Sequence, residues 1–375
     1  MDFKYRIKHI AASNQKDNTE KKNSYNTSVK LCGLLLVFFI SIVSCEQTEP
    51  FRIEEALGTV CVITLYDQGK DSVYNEIFSR IREIENLMSV NIPSSDISRI
   101  NKNAGITPVP VNEETYKVIE RSLYYAQLSG GAFDPAIGPV VALWGIGSRP
   151  SVPSQEEIDK TLPLVNWRNV ELNPRERSVF LTQRGMSLDL GAIAKGYAAD
   201  EAAESAKKAG IKRALIDLGG NIVILGEKAD KSPWRVGIQY PYKDHGEIIG
   251  FLQITEQGRN AGYKQTVVTS GVYERHFEEN GILYHHLFSP SLGYPAHLTE
   301  AAHNSILSVT IITEVSMDAD ALSTAVFVLG YEKGRALLET ISGAEAVFIF
   351  KDNSIIATPG ADFTLMDNTF YIRNN

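Results

Sequence analysis

DLGAIAKGYAADEAAESAKKAGIKRALIDLGGNIVIL, which spans residues 189–225, is the stretch from which the fold is predicted. Its alanine-rich part predicts a helix over residues 195–209, because alanine has the highest helix propensity and Gly210 follows as a stop signal. Two short apolar runs come next, 213–218 and 221–225, and their β-branched residues and glycine boundaries predict strands. A helix that is followed by successive strands indicates an α+β protein.

The segments on either side continue the same pattern. Residues 59–66 predict a strand, Asp71 is predicted to cap an amphipathic helix, and a second amphipathic helix begins at Asn112. Further on, five short apolar segments predict strands, at residues 234–239, 248–255, 266–269, 305–313 and 346–350. Two helical stretches, 318–329 and 331–340, lie between the last two of these strands. Because the helices are grouped between runs of strands, we expect an α+β fold in one compact unit and not a doubly wound parallel sheet.

The N-terminus resembles a bacterial lipoprotein signal. Seven Lys or Arg residues precede an apolar run at residues 31–43, which is short for a permanent membrane span, and Cys45 stands where such signals carry their lipid. We therefore expect residues 1–44 to be a signal peptide, Cys45 to be lipidated, residues 45–54 to be a tether and residues 55–375 to form the functional domain. The protein would then be exported and anchored by lipid to a bacterial membrane. An uncleaved anchor or a buried helix is the alternative.

Cysteine content and charge exclude several classes of protein. If Cys32 is removed and Cys45 is acylated, Cys61 is the one cysteine left, so a disulfide framework within the chain is excluded. Residues 1–44 carry seven Lys/Arg and three Asp/Glu, so their removal lowers the formal net charge from −8 to −12. An acidic body without a basic stripe is a poor nucleic-acid binder, and it does not adhere to anionic lipid unaided. The sequence also lacks a G-x-G-x-x-G after a strand, a Walker loop and a G-x-S-x-G motif.

The first segment that could carry chemistry is AFDPAIGP at residues 132–139. It combines an aromatic ring, a carboxylate and two prolines, and such a loop could hold a planar ring against a rigid backbone. The alternative is a tight turn that packs Phe133 into the core. The loop by itself favours that alternative.

The second segment is DLGAIAKG at residues 189–196, where a predicted strand ends and the alanine-rich helix begins. Small residues let the backbone approach a ligand, a helix N-terminus attracts phosphate oxygens, and Lys195 adds a cation in the first turn. A close helix–strand crossing with a solvated lysine explains the same residues equally well.

The third segment is VVTSGVYERHFEENGILYHHLFSPSLGYP at residues 267–295. A histidine beside a pyrophosphate could transfer a proton or stabilise charge near neutral pH. Tandem histidines are nevertheless more often one exposed residue and one with satisfied hydrogen bonds than a pair of metal ligands. The segment gathers aromatic, cationic and histidine side chains around glycine turns, namely Tyr273, Arg275, His276, Tyr284, His285 and His286.

The fourth segment is DADALST at residues 318–324. Asp320 and Thr324 are four residues apart on a predicted helix, so their oxygens share one face. A carboxylate, a hydroxyl and a backbone carbonyl, together with waters, form the hard-oxygen set that Mg²⁺ prefers. Helix caps contain the same residue types, and Asp318 is a candidate for such a cap.

Taken together and in this order, these segments resemble the FAD:protein FMN transferase family, also called ApbE or the thiamine-biosynthesis lipoprotein family. The resemblance implies a T-fold-like α+β architecture with antiparallel sheets and grouped helices. The matching stretches are Leu57-Gly58-Thr59, the SRIN of residues 98–101, FDPAIGPVVALWGIG, DLGAIAKGYAAD, IDLGGN, SGVYERHF, YHHLFSP followed by GYP, and DADALSTA.

The resemblance also assigns site residues. Asp320 and Thr324 match the family's Mg²⁺ ligands, which the carbonyl of Ala192 joins, and His286 matches the catalytic-site histidine of an H-x-x-D-P motif. Seven residues fall at FAD-contacting positions of the family: Leu57, Ala132, Phe133, Asp134, Asp189, Lys195 and Leu287.

The activity implied by the resemblance is a phosphoryl transfer with FAD as substrate. A threonine hydroxyl of a client protein attacks the FMN-side phosphorus of FAD, and AMP departs. Mg²⁺ is the implied cofactor, since it neutralises pyrophosphate charge and orients an in-line displacement. The implied clients are flavoprotein subunits of electron-transport complexes.

Two positions depart from the family's pattern. Ser289 stands where the H-x-x-D-P motif has its carboxylate, and a serine hydroxyl cannot act as a base at neutral pH. Asn91 stands at an FAD-contacting position that is usually tyrosine, so a stacking ring is lost there. These departures leave two alternatives open: an FAD pyrophosphatase that releases FMN and AMP, and a non-catalytic exported flavin-binding lipoprotein.

Overall fold

The structure, a computed structural model, describes residues 51–373 apart from residues 68, 242, 244–245, 256–263, 299–300 and 303. The expected signal peptide and the lipidation site at Cys45 therefore lie outside the described residues. Within the described part of the chain, no helix is long and apolar enough to cross a membrane.

Seven α-helices, seventeen strands and two short 3-10 helices, Leu162–Leu164 and Trp167–Asn169, make up the described chain. The helices are α1 Asp71–Met88, α2 Asp96–Lys102, α3 Glu113–Leu128, α4 Gly138–Trp144, α5 Gln155–Thr161, α6 Ala194–Lys208 and α7 Ser316–Leu338. The strands are β1 Phe51–Ala56, β2 Thr59–Leu65, β3 Val109–Pro110, β4 Val170–Asn173, β5 Ser178–Leu181, β6 Ala214–Leu218, β7 Asn221–Leu225, β8 Trp234–Gln239, β9 Ile248–Ile254, β10 Lys264–Gly271, β11 His276–Glu279, β12 Ile282–His285, β13 Ile306–Thr313, β14 Glu345–Phe350, β15 Ser354–Ala357, β16 Phe363–Leu365 and β17 Tyr371–Ile372.

A central sheet of nine strands organises the molecule, in the order β1-β2-β6-β7-β10-β13-β14-β15-β17. Its neighbouring strands pair antiparallel except β15 with β17. Smaller sheets, β16-β9-β8, β3-β5-β4 and β11-β12, lie around it. The prediction of an α+β fold with antiparallel sheets and grouped helices is confirmed.

The two faces of the central sheet bury different partners. On β7, Val223 and Leu225 belong to the core that includes α1, α6 and α7, whereas Ile224 packs on the other face with Trp234 of β8 and Leu252 of β9. This alternation follows from the two-residue period of a strand. Helices α1, α6 and α7 therefore approach one face, and that face carries the candidate site.

The crossing of α6 over α7 is unusually close. A Cβ atom on Gly196 would lie 2.2 Å from the carbonyl oxygen of Ser316, so only glycine fits there. Asp200, on the next turn of α6, accepts hydrogen bonds from the backbone N–H groups of Ser316 and Met317 at 2.9 and 3.0 Å. An α6 carboxylate therefore caps the N-terminus of α7.

Helix α7 contains the break that the sequence predicts. Gly330 has φ +77° and ψ 174°, values outside the helical region, so α7 is two helical segments joined at this glycine. The two predicted helical stretches, 318–329 and 331–340, are therefore confirmed within a few residues.

Two expectations for the ends of elements need correction, and three strands after residue 350 were not predicted. Residues 51–54, which the sequence analysis assigns to a tether, belong to strand β1, which begins at Phe51 and pairs antiparallel with β2. Asp71 is not the cap of α1; Lys70 is the N-cap residue, and Asp71 accepts a hydrogen bond from Arg52 at 2.6 Å. The strand at 346–350 is followed by β15, β16 and β17. Asn112 does cap α3, since its side chain accepts from the N–H of Glu114.

Gly196→Ala tests the crossing. The added methyl group has no space against Ser316, so we expect the helices to separate and the free energy of unfolding to fall by about 1–3 kcal/mol. Urea unfolding followed by circular dichroism measures this, with Lys208→Ala on the exposed end of α6 as the control. Equal stability of the two variants would contradict the close crossing.

Candidate active site

Asp320 is the buried carboxylate at the centre of the candidate site. Its side chain lies on α7 and is 3% exposed. Oδ2 accepts a hydrogen bond from the backbone N–H of Gly196 at 2.9 Å, and Oδ1 lies 3.4 Å from Nζ of Lys195. The same Lys195 ammonium donates to the carbonyl oxygen of Gly191 at 2.9 Å. The segment at residues 189–196 and the helix that carries the predicted Mg²⁺ ligands therefore meet at Asp320.

A row of hydroxyl groups continues from Asp320 along α7. Thr324 Oγ1 lies 3.4 Å from Ser270 Oγ on β10, and Ser270 Oγ lies 2.8 Å from Ser323 Oγ. Ser323 donates to the carbonyl oxygen of Asp320 at 2.9 Å. The predicted shared face of Asp320 and Thr324 is thus present, and Ser270 is a contact that the sequence analysis did not assign.

The chemistry of this donor set fits a hard divalent cation. The Asp320 carboxylate, the Thr324 hydroxyl one helical turn further on, and the Gly191 carbonyl that shares Lys195 with Asp320 are all oxygen donors, the type that such a cation prefers. The Lys195 ammonium lies between Asp320 and the Gly191 carbonyl, so a positive charge already has a place among these oxygens. Asp320 and Thr324, together with the carbonyl of Ala192 that the resemblance implies, are the residues that would hold Mg²⁺.

The N-terminus of α6 offers less to a phosphate than its sequence indicates. The N–H groups of Ile193 and Ala194 both donate to the carbonyl of Leu190, and that of Gly191 donates to Asp189 Oδ1 at 2.8 Å. These donors are engaged within the chain. The Lys195 ammonium is therefore the main cationic group that this turn presents to an anion.

The loop at residues 132–139 is mostly a structural turn. Phe133 is 4% exposed and belongs to the main core, which confirms the simpler interpretation of its ring. Asp134 is 8% exposed and accepts hydrogen bonds from the N–H groups of Ala136 and Trp167. Burial raises the pKa of Asp134 to about 6. The N–H of Phe133 donates to Ser129 Oγ at 3.0 Å, so both the ring and the N–H of this residue are engaged within the chain.

Backbone contacts bring this loop to the edge of the site. The N–H of Asp189 donates to the carbonyl of Pro135 at 2.9 Å, so the loop lies beside the segment that leads into α6. Ala132 and Asp189 are both half-buried. The predicted FAD-contacting residues of these two segments are therefore neighbours in space.

The turn that contains Leu57 approaches the predicted histidine segment. Leu57 has φ +55°, a left-handed conformation that is uncommon for a residue other than glycine. Arg275 Nη2 donates to the carbonyl of Gly58 at 3.3 Å, and the carbonyl of Arg275 lies 3.2 Å from His286 Nδ1. Arg275 thus links the Leu57 turn to His286.

The tandem histidines have different environments. His285 is 3% exposed, its Nε2 donates to the carbonyl of Ala296 at 3.0 Å, and its Nδ1 accepts from the N–H of Leu287 at 3.2 Å. Burial lowers its pKa to about 4. His285 is therefore the satisfied, structural member of the pair, and Leu287 is held by it.

His286 is half-buried and neutral. Because a carbonyl oxygen can only accept, Nδ1 of His286 carries the hydrogen that the Arg275 carbonyl receives, and Nε2 keeps a free lone pair. Burial, followed by the charges of His285, Arg275 and Lys195, lowers the pKa of His286 to about 3. Its Nε2 is thus a hydrogen-bond acceptor at neutral pH.

The two departures from the expected pattern lie in different places. Ser289 is 8% exposed and in a turn, where its N–H donates to the carbonyl of Tyr294 and its Oγ lies 3.1 Å from Ser291 Oγ. Asn91 is exposed in the loop between α1 and α2, and its N–H donates to Ser89 Oγ at 3.2 Å. The hydrogen bonds described for Asn91 do not connect it to the other predicted site residues.

Comparison with known proteins identifies the family of this chain. The ApbE family model matches residues 57–348. The FAD:protein FMN transferase of Treponema pallidum (strain Nichols) is 37% identical over 350 residues, covering 88% of this chain and 93% of that protein. The FAD:protein FMN transferase of Klebsiella pneumoniae (strain 342) is 38% identical over 301 residues, covering 80% and 89%.

Solved structures agree with the sequence comparisons. The crystal structure of the ApbE protein from Thermotoga maritima superposes with a TM-score of 0.72 at 32% identity, covering 82% of this chain and 96% of that chain. The flavin transferase ApbE from Vibrio cholerae superposes with a TM-score of 0.67 at 25% identity, covering 85% and 97%. On the extent of these matches, this chain belongs to the ApbE family.

Proposed function

We propose that this chain is an FAD:protein FMN transferase, which attaches FMN from FAD to a threonine of a client protein and releases AMP. The observation that carries the proposal is the buried Asp320–Lys195 pair, because it joins a hard-oxygen cation site to a cationic group for phosphate. The family's name for its members gives the substrate, FAD, and the type of acceptor, a protein.

The reaction breaks one bond of the FAD pyrophosphate and forms one new ester. The threonine oxygen bonds to the FMN-side phosphorus, the bond from that phosphorus to the bridging oxygen breaks, and AMP leaves with the bridging oxygen. Lys195 would bind a pyrophosphate oxygen and hold the phosphorus in place, since an ammonium is a strong point donor to phosphate. Mg²⁺ bound by Asp320, Thr324 and Ala192 would neutralise charge that develops on the pyrophosphate.

His286 suits the handling of the hydroxyl proton. Its Nε2 lone pair can accept a hydrogen bond from the threonine hydroxyl and orient it for attack. Because the pKa of His286 is lowered to about 3, this residue positions the hydroxyl more effectively than it removes the proton. Ser289 cannot take the role of the missing carboxylate, since a serine hydroxyl is not a base at neutral pH. The proton therefore passes to solvent or to the departing AMP.

We also propose that the protein is exported and anchored by lipid at Cys45. The sequence supports this, because Cys45 follows a basic and apolar leader. The first described strand begins at Phe51, only a short way along the chain, so the domain would lie close to the membrane surface. The client would then be an exported or membrane-bound flavoprotein subunit of an electron-transport complex.

Asp320→Ala is the first test of the transferase. The wild-type protein, incubated with FAD, Mg²⁺ and a threonine-bearing client domain, should release AMP and produce a client that fluoresces as a flavin band in a gel. We expect Asp320→Ala to reduce both products by at least about 100-fold, because the cation site loses its carboxylate. Glu332→Gln, an exposed position on α7, is the matched control and should retain activity.

The products distinguish the alternatives. AMP that appears without any labelled client would show an FAD pyrophosphatase, the alternative that the departures at Asn91 and Ser289 leave open. FAD that binds tightly without magnesium and is not turned over would show a flavin-binding lipoprotein. Either result contradicts the transferase.

A pH dependence of stability follows from His285. Its pKa lies below the ordinary 6.5, so the unfolded chain binds a proton that the folded chain excludes. The stabilisation is complete above about pH 6.5 and is lost as the pH falls towards 4, at up to about 1.4 kcal/mol per pH unit. Asp134, whose pKa is raised to about 6, opposes this loss between pH 6 and 4.

Urea unfolding of wild type and His285→Gln between pH 7 and 4 isolates this contribution. Glutamine cannot titrate but retains a donor for the Ala296 carbonyl and an acceptor for the Leu287 N–H. We expect the variant to lose less stability than wild type on acidification. Parallel curves would show that His285 binds protons equally in the folded and unfolded chain, which contradicts the lowered pKa.

Cys45→Ala tests the anchor. When the full chain is produced in a bacterium that processes lipoproteins, intact-mass measurement should show wild-type protein that begins at Cys45 and carries an added lipid. The variant should keep residues 1–44 or lack the lipid, and Cys32→Ala should behave as wild type because Cys32 lies in the leader. A wild-type protein that retains residues 1–44 would exclude lipid anchoring at Cys45.

A further inference from the structure

Asn221 is a buried amide that the proposed mechanism does not use. It is the first residue of β7 and is 2% exposed. Its Nδ2 atom is fully buried and has no hydrogen-bond partner among the residues that the structure describes. A buried donor in this state costs about 1–3 kcal/mol of stability. Such a group calls for an explanation, and a ligand that supplies the missing acceptor is one.

The strand register places Asn221 on the site's side of the sheet. Val223 and Leu225 pack in the core with the helices, so Asn221, which is in phase with them, faces the same way. Asn221 is paired with Val268 of β10, and Ser270 follows two residues later on the same face of β10. Ser270 is the residue whose Oγ approaches Thr324. Asn221 is therefore the diagonal neighbour of the hydroxyl row next to the cation site.

The local chemistry favours an anionic oxygen as the missing acceptor. The hydroxyls of Ser270 and Thr324 lie on this side. Thr324 is one helical turn from Asp320, which pairs with the Lys195 ammonium, and these groups suit an oxygen-rich ligand. An amide N–H binds a phosphate oxygen without adding charge, so it complements Lys195 and a cation instead of competing with them.

We propose that Nδ2 of Asn221 donates a hydrogen bond to a diphosphate oxygen of bound FAD, which makes Asn221 a substrate-binding residue. The inference rests on the proposed function, since FAD is the ligand that this function requires. In the free protein the amide is held in place without a partner, and the bound substrate satisfies it. The stability that is lost in the free protein is then recovered as affinity.

Asn221→Leu separates binding from folding. Leucine has a similar size and no polar atoms, so removal of an unpartnered donor should leave the melting temperature unchanged or higher. The dissociation constant for FAD, measured by quenching of flavin fluorescence in EDTA and in Mg²⁺, should rise about tenfold. The same substitution at Asn101 should lower the melting temperature, because that amide is bonded to both backbone groups of Leu188.

Riboflavin, which has no phosphate, identifies the contact. If Asn221 binds the diphosphate, Asn221→Leu weakens FAD and leaves riboflavin binding unchanged. Equal weakening of both ligands, or an unchanged FAD dissociation constant in a variant that melts lower, would show that Asn221 supports only the fold and would overturn the inference. A wild-type protein that does not bind FAD would instead overturn the proposed function.

Discussion

The close contact between α6 and α7 is the constraint on which the candidate site depends. Gly196 leaves no room for a Cβ atom against Ser316, and each helix supplies a carboxylate to the other. Asp200 of α6 accepts from the N–H groups of Ser316 and Met317, while Asp320 of α7 accepts from the N–H of Gly196. This exchange fixes both helices with respect to each other. It also places a carboxylate where water has little access.

The charge of the site follows from that contact. A carboxylate that is 3% exposed needs a nearby cation or several hydrogen bonds, because an isolated buried charge is costly. Lys195 provides the cation for Asp320 from the first turn of α6. Burial is the main reason that the pKa of His286 is lowered and its ring is neutral. The positive charge of Lys195 acts in the same direction. The site thus combines oxygen ligands, one ammonium and one neutral acceptor.

The two faces of the central sheet have different roles: one packs against other strands and the other faces the candidate site. One face of β7 and β10 packs against β8 and β9, whereas the other carries Asn221 and Ser270 towards the helices. Polar groups that are buried on this second face cost stability, and the apolar layers elsewhere offset that cost. Such a division is common where a binding site is built on rigid elements.

The sequence by itself determined the local elements and the family. The bounds of β7 and β8 agree with the predicted runs, and the Asn112 cap was evident, since these depend on short-range patterns. Strand β1 was missed because its charged residues resemble a polar tether, and only pairing with β2 makes it a strand. Tertiary structure alone decided that Ser270 meets Thr324 and that Asn221 lacks a partner. Both facts depend on which strands are neighbours, and long-range pairing leaves no trace in the spacing of residues along one chain segment.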